Sequence, residues 1–249
     1  MKEVWEVPKP LDRVIHTLGW PLDKRTGGGS LTIDQVALTF GGLNKAREAV
    51  LTAVGAETLL TAPTMRAIDR YTGTLFGAIH GRGLKGSPTE NNSLTSAEIA
   101  RAKSTVLIQS AMFGLIPATD LIPEYKLSPT KNINGLNPKR LWSEAHQAIW
   151  PRLTGGVIID LRSKAYAELA PIPEGIDHFS VTVEVECPDG SRRILNHFNK
   201  KAKGQLVRAA LTAKKAPETM AELKACAKRA GLSIEVSGRN LTLVTRDAT

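Results

Sequence analysis

Two short apolar runs set the terms on which this chain can fold. Thr105–Gln109 and Val157–Asp160 are β-branched and aliphatic almost throughout, and Gly155-Gly156 opens the second. Runs this short, without polar alternation, read as buried strands, and a buried strand needs cover on both faces. Helical patterns supply that cover. Leu43–Val54 reads as a helix ended near Gly55, and Pro63 suits the first turn of another running through Met65, Ile68, Tyr71 and Leu75. Thr95-Ser96-Ala97-Glu98 is a capping box that opens a short helix to about Lys103. Pro138–Trp150 places Leu141, Trp142, Ala145 and Ile149 on one helical face.

The second half adds alternating strands. Phe179–Glu186 alternates apolar and polar residues, with Arg193–Asn196 as its hairpin partner across Pro188-Asp189-Gly190. Thr219–Ala230 reads as a helix closed by Gly231, and Leu232–Val236 with Leu241–Val244 as a terminal hairpin. Ser110–Gly114 reads as a tight turn. Met1–Gly19 resists assignment, and the expectation there is a poorly ordered leader. No repeat and no low-complexity linker divides the chain. The reading is a mixed α/β (α+β) fold: a single domain over residues 1–249 with a central mixed sheet and surrounding helices.

Composition excludes several classes. Hydrophobic residues make up 42% and charged residues 23%, as in ordinary globular chains and unlike disordered ones. No apolar run approaches the roughly 20 residues that cross a bilayer, so no membrane association is expected. Met1–Pro10 is polar and unlike a secretory signal. Cys187 and Cys226 are the only cysteines, which fits a reducing cytoplasm and excludes a disulfide framework.

The charge is uneven. The net charge is +9, and Ser191–Arg229 carries eleven Lys/Arg against two acids, Glu218 and Glu222. The rest of the chain is balanced. An excess confined to one segment reads as a phosphate footprint or, alternatively, as a solvated basic face. Anionic lipid fits poorly, because the segment has no Trp and one Phe. From Asn199, a plausible N-cap, Ala202, Leu206, Ala210 and Ala213 form one helical stripe. Lys201, Gln205, Arg208, Thr212 and Lys215 form the opposite stripe, with Lys200 and Lys203 between them. Cations in the first turn oppose the helix dipole, a pattern easier to understand where an anion binds.

Familiar catalytic motifs are absent. The five histidines, His16, His80, His146, His178 and His197, show no ligand spacing, and neither metal nor cofactor is expected. Gly27-Gly28-Gly29 lacks the Lys-Ser/Thr of a phosphate loop. Gly81–Gly86 matches GxGxxG formally, but no strand precedes it, so it reads as a surface loop. Asp160 ends an apolar strand, where α/β folds bind ligands. The competing reading pairs it with Arg162 or makes it a cap.

From Tyr71 onward the chain resembles the peroxide-stress protein YaaA family, in its actinobacterial branch. The resemblance rests on Arg70-Tyr71-Thr72-Gly73, Gln109–Pro117, Asp120–Leu127, Ile158–Ser163 with Tyr166, and His197–Gly204. It implies a mixed α/β body with a helix-hairpin-helix-like element and a positively charged cleft. It also implies a cytoplasmic, DNA-binding protein that protects during peroxide stress and limits free iron. Ser110–Gly114 takes the place of the hairpin, whose backbone N–H groups would face a phosphate. Ala111 stands where some members have Gly. Lys200, Lys201 and Lys203 match the basic block.

The N-terminus departs from the family pattern. Pro21-Leu22-Asp23-Lys24-Arg25-Thr26 is the best counterpart of a Pro-Ser-Glu-Gly-Lys-Thr-like loop, with Lys24 in the place of Gly. The leading expectation is sequence-independent backbone binding of duplex or structured DNA, or of a nucleotide-like ligand, with no obligate protein partner. Ser110, Gly114, Lys126, Arg162, Lys200, Lys201, Lys203, Arg208 and Lys215 are the candidate contacts. The alternative is an N-glycosylase or lyase, in a specialised paralogue, acting on a nucleobase, nucleoside or damaged DNA. Its catalytic candidates are Lys203 with Asp160, and Asp23 with Arg25. Whether there is turnover stays open at this level.

Overall fold

The computed structural model describes residues 14–19, 24–82, 94–131, 133–195 and 199–246. Its strands are β1 (Val14–Leu18), β2 (Thr64–Arg66), β3 (Val106–Ser110), β4 (Gly114–Pro117) and β5 (Leu121–Pro123), followed by β6 (Val157–Asp160), β7 (His178–Glu186), β8 (Arg192–Ile194), β9 (Ser233–Ser237) and β10 (Asn240–Thr245). Its helices are α1 (Asn44–Val54), α2 (Ala67–Arg70), α3 (Thr74–Ile79), α4 (Ser96–Thr105), α5 (Pro138–His146), α6 (Lys164–Leu169), α7 (Asn199–Leu211) and α8 (Met220–Arg229).

Eight strands form one mixed sheet in the order β4-β3-β1-β6-β7-β10-β9, with β8 pairing β7. The strands β3, β1, β6, β7 and β10 run parallel, while β4, β8 and β9 are antiparallel to their neighbours. β2 and β5 make a separate antiparallel pair. On β7, Val181, Val183 and Val185 are buried and Ser180 and Thr182 exposed, so one face is packed and the other open. α7 lies against β7 and β10, α8 against β9, and α4 against β1, β3 and β4. α1, α5 and α6 form another group, in which α5 reaches β4.

Much of this matches the sequence reading. The Thr95 hydroxyl accepts from Glu98 N, closing the expected capping box, and Thr219 with Glu222 does the same for α8. Three expectations are corrected. Val14–Leu18 is no leader: it is the strand flanked by β3 and β6, with Ile15 and Leu18 in the core. The helix expected from Pro63 is interrupted. Thr64–Arg66 pairs with β5 as a strand, and Gly73, at φ +91°, separates α2 from α3. The Pro138–Trp150 helix stops at His146, and a separate 3-10 turn covers Trp150–Leu153. The Gly81–Gly86 stretch lies largely outside the described residues. Among the described residues no helix is long and apolar enough to cross a membrane.

Candidate functional site

β1 sits where the sheet's connectivity reverses, with β3 on one side and β6 on the other. In open parallel sheets the carboxyl ends of strands at such a point form the ligand-binding crevice. Here those ends are Gly19, Ser110 and Asp160.

Asp160 accepts from Thr17 Oγ1 at 3.0 Å across the β1–β6 pairing. It is gripped by Arg162, with Nε to Oδ1 and Nη2 to Oδ2 both at 2.8 Å and the backbone N–H to Oδ1 at 3.1 Å. Burial pushes the Asp160 carboxyl up, but the Arg162 guanidinium and these hydrogen bonds outweigh it, and the net shift is downward. Arg162 also donates to the Ala170 carbonyl at 2.9 Å and lies 5.5 Å from the Trp150 ring centre. Its side chain is 1% exposed. Arg162, expected as a phosphate contact, is here committed to neutralising Asp160 in the interior.

Lys203 reaches the same place from α7. Its Nζ donates to the Leu161 carbonyl at 3.2 Å. The residue is buried, and desolvation lowers its pKa to about 8 against the pull of Asp160. Position at the edge of the apolar stripe was the signal that placed it there. The stripe itself is wider than expected, since Gly204, Val207 and Leu211 are buried as well. Gly204 explains why: a Cβ there would lie 2.3 Å from the Leu75 carbonyl oxygen, so α7 crosses α3 at backbone contact.

Beside this pair stands a hydroxyl chain. Ser110 Oγ accepts from the N–H groups of Met112 at 3.1 Å and Phe113 at 2.9 Å, and meets Tyr125 OH at 2.7 Å. Tyr125 OH meets Tyr71 OH, also at 2.7 Å. Burial raises both phenol pKa values, so both stay neutral. Lys24 Nζ lies 4.1 Å from the Tyr125 ring centre, a cation–π distance. A Cβ on Gly19 would fall 2.7 Å from Tyr166 Cβ, so Tyr166 closes over the end of β1.

Ser110–Gly114 is thus corrected too. It joins the antiparallel strands β3 and β4 rather than two helices, and its residues are buried. Ser110 and Gly114 are both buried. Gly114 holds φ +67°, and a Cβ there would come within 2.5 Å of Trp142. Trp142 in turn donates to the Ala111 carbonyl at 3.0 Å.

Of the four catalytic candidates, Asp160 and Lys203 meet. Arg25 does not join them: its side chain is exposed, and its backbone exchanges hydrogen bonds with Arg70. Asp23 lies outside the described residues. Sequence reasoning missed Arg70, whose buried guanidinium donates to the carbonyls of Arg25, Gly27, Pro63 and Ile122. It thereby holds the segment that carries Lys24. Its signal was its place at the head of the Arg70-Tyr71-Thr72-Gly73 block.

The basic segment lies on the outside. Arg192, Arg193, Lys214, Lys215, Lys224, Lys228 and Arg229 are exposed, while Lys200, Lys201 and Arg208 are half-buried. Lys215 lies beyond the end of α7 and pairs with Glu218 at 2.9 Å. Arg208 donates to the Ile79 carbonyl at 2.9 Å. Lys126 is exposed elsewhere, on a hollow shared with Glu124 and Tyr125.

Residues 41–237 match a family model described as the peroxide stress protein YaaA. The chain belongs to the YaaA family. Among its relatives is a UPF0246 protein of Corynebacterium efficiens, 32% identical over 248 residues, covering 88% of this chain and 94% of the relative. A UPF0246 protein of Streptomyces coelicolor is 33% identical over 211 residues, covering 80% and 76%. One from Shewanella baltica is 30% identical over 141 residues, about half of each chain. In this YaaA-family chain the resemblance blocks, far apart in sequence, meet at the carboxyl edge of the sheet through Tyr71, Ser110, Tyr125, Asp160, Tyr166 and Lys203.

Proposed function

We propose that this chain is a cytoplasmic protein that binds DNA through its phosphate backbone without base readout. Membership of the YaaA family implies a peroxide-stress-related role. One observation carries the binding reading. The segment that holds the whole net charge folds so that seven of its cations are exposed on β8, α8 and the α7–α8 connection. Aromatic residues make up 5% of the chain, few for base stacking, whereas Lys and Arg serve phosphates directly. The two cysteines are unpaired, which supports a reducing compartment. The reading drops Ser110, Gly114, Arg162 and Lys203 as phosphate contacts and keeps Lys126, Lys200, Lys201, Arg208 and Lys215. Titration of a duplex at several salt concentrations tests it. Log affinity falls linearly with log salt, by about 0.9 per phosphate contact; absent or salt-independent binding overturns it.

Lys203 favours a second reading, an enzyme on a nucleobase, nucleoside or damaged DNA. An amine with a pKa of about 8 is partly neutral at physiological pH and able to attack a sugar aldehyde. Borohydride trapping of an adduct with abasic duplex, lost in Lys203→Met, is the expected result. No adduct and no base release dismiss this reading.

A further inference from the structure

We propose that the groove between α7 and the end of α8 is a seat for a phosphate group with its attached sugar. The inference rests on the nucleic-acid reading and gives it a defined place on the surface. Gln205, Arg208, Ala209, Thr212 and Ala213 recur along one side of α7 and its end, and Arg229 and Ala230 face them from α8. Together they enclose about 390 Å³. That is within the usual range of small-ligand clefts and larger than a bare inorganic anion needs.

The lining chemistry selects the ligand. Two arginines from different helices line one space, with Gln205 and Thr212 beside them and no acid among the described lining residues. Guanidinium forks match the oxygen geometry of phosphate. Each is positioned before a ligand arrives: Arg208 Nη1 by the Ile79 carbonyl at 2.9 Å, Arg229 Nη2 by Cys226 Sγ at 3.1 Å. The carboxyl end of α8 opposes an anion. The Ala227 and Lys228 carbonyls, however, are engaged by the N–H groups of Ala230, Gly231 and Leu232, and two full cations outweigh a partial charge. Ala209, Ala213 and Ala230 give a low, weakly polar floor for a sugar. The shared chemistry is a phosphate ester, supplied by a DNA strand or by a free nucleotide.

The test titrates the full chain with inorganic phosphate, adenosine 5′-monophosphate, and a duplex bearing either a 5′-phosphate or a 5′-hydroxyl. Arg229→Gln removes one fork, and Gln205→Glu places a negative charge in the groove without touching the Arg208–Ile79 contact. Lys139→Gln, an equal charge change on α5, is the control. The expected result is a loss of about tenfold or more in nucleotide affinity for both groove variants, with the control unchanged. Tighter binding of the 5′-phosphorylated duplex assigns the seat to a strand end; equal binding that both groove variants weaken assigns it to the backbone. Undetectable nucleotide binding by the wild type, or wild-type nucleotide affinity in both groove variants, overturns the seat. If duplex binding is kept in those variants, the seat fails while the nucleic-acid reading stands. If the nucleotide binds through the groove and no duplex binds, the seat stands and the DNA reading fails.

Discussion

Lys203 Nζ donates a hydrogen bond to the carbonyl of Leu161, the residue between the Asp160 carboxylate and the Arg162 guanidinium that neutralises it. The three ionisable groups thus carry one net positive charge at the end of β6. Burial lowers the amine's pKa from 10.5 to about 8.

This arrangement makes stability depend on pH with a definite sign. Between about pH 8 and 10.5 the unfolded chain holds the Lys203 proton and the folded chain does not, so stability contributed by this group rises with pH. Below pH 8 the buried charge destabilises. Lys203→Met removes the dependence. The difference in unfolding free energy between the two proteins should move toward the wild type by on the order of 3 kcal/mol from pH 7 to above pH 10. Chemical denaturation at several pH values measures it, and a constant difference contradicts the burial.

Asp160 behaves oppositely. Its folded pKa is lowered, so its stabilisation is present above the unfolded value of 3.8 and lost as pH falls through the folded value. Asp160→Asn leaves the Arg162 guanidinium buried without a counter-charge, at a cost of about 3–5 kcal/mol near neutrality. The variant should also lose the Asp160 share of the fall in stability expected at acid pH. An Asp160→Asn protein as stable as the wild type at pH 7 refutes the role given to the pair.

Gly114→Ala should destabilise the fold rather than alter DNA affinity. The added Cβ meets Trp142 at 2.5 Å and the residue is forced into left-handed φ, together costing roughly 2–4 kcal/mol. Trp142→Leu in the same chain relieves the contact, so the double variant loses less than the two single losses combined. Thermal melts and a duplex titration of the folded fraction decide it. A weakened titration with an unchanged melt restores the DNA-binding hairpin.

Changing Lys214, Lys215 and Lys228 together to Gln should reduce the salt slope of duplex binding by up to about 3, because each lysine that neutralises a phosphate adds about one to that slope. Arg162→Gln should leave the slope of the folded protein unchanged, because its guanidinium does not face solvent. An equal fall in both locates the DNA elsewhere.

The sequence revealed elements whose signals are local. Val157–Asp160, Phe179–Glu186, the Thr95 cap and the Gly55 and Gly231 stops all carry their reason within a few residues. β1 did not, because Val14-Ile15-His16-Thr17-Leu18 is short and holds two polar residues. What makes it a strand is pairing with Val106–Ile108 and Val157–Asp160. β4 and β5 were obscured by Pro117 and Pro123, which end them. Lys203 was legible as an edge residue of its helix. The Ser110–Tyr125–Tyr71 chain was not, since hydrogen bonds across 54 and 15 residues leave no mark on spacing.

The position of β1 also sets the order in which the molecule can assemble. His16 is in register with Val106 on one side and Ile159 on the other, so β1 finds its second neighbour only after Asp160 has left the ribosome. Pairings this distant in sequence make folding slow and leave apolar strands waiting without partners. For this chain the waiting strand is an interior strand of the sheet. A nascent chain halted before β6 therefore holds Val14–Leu18 with the edge that β6 covers left unpaired.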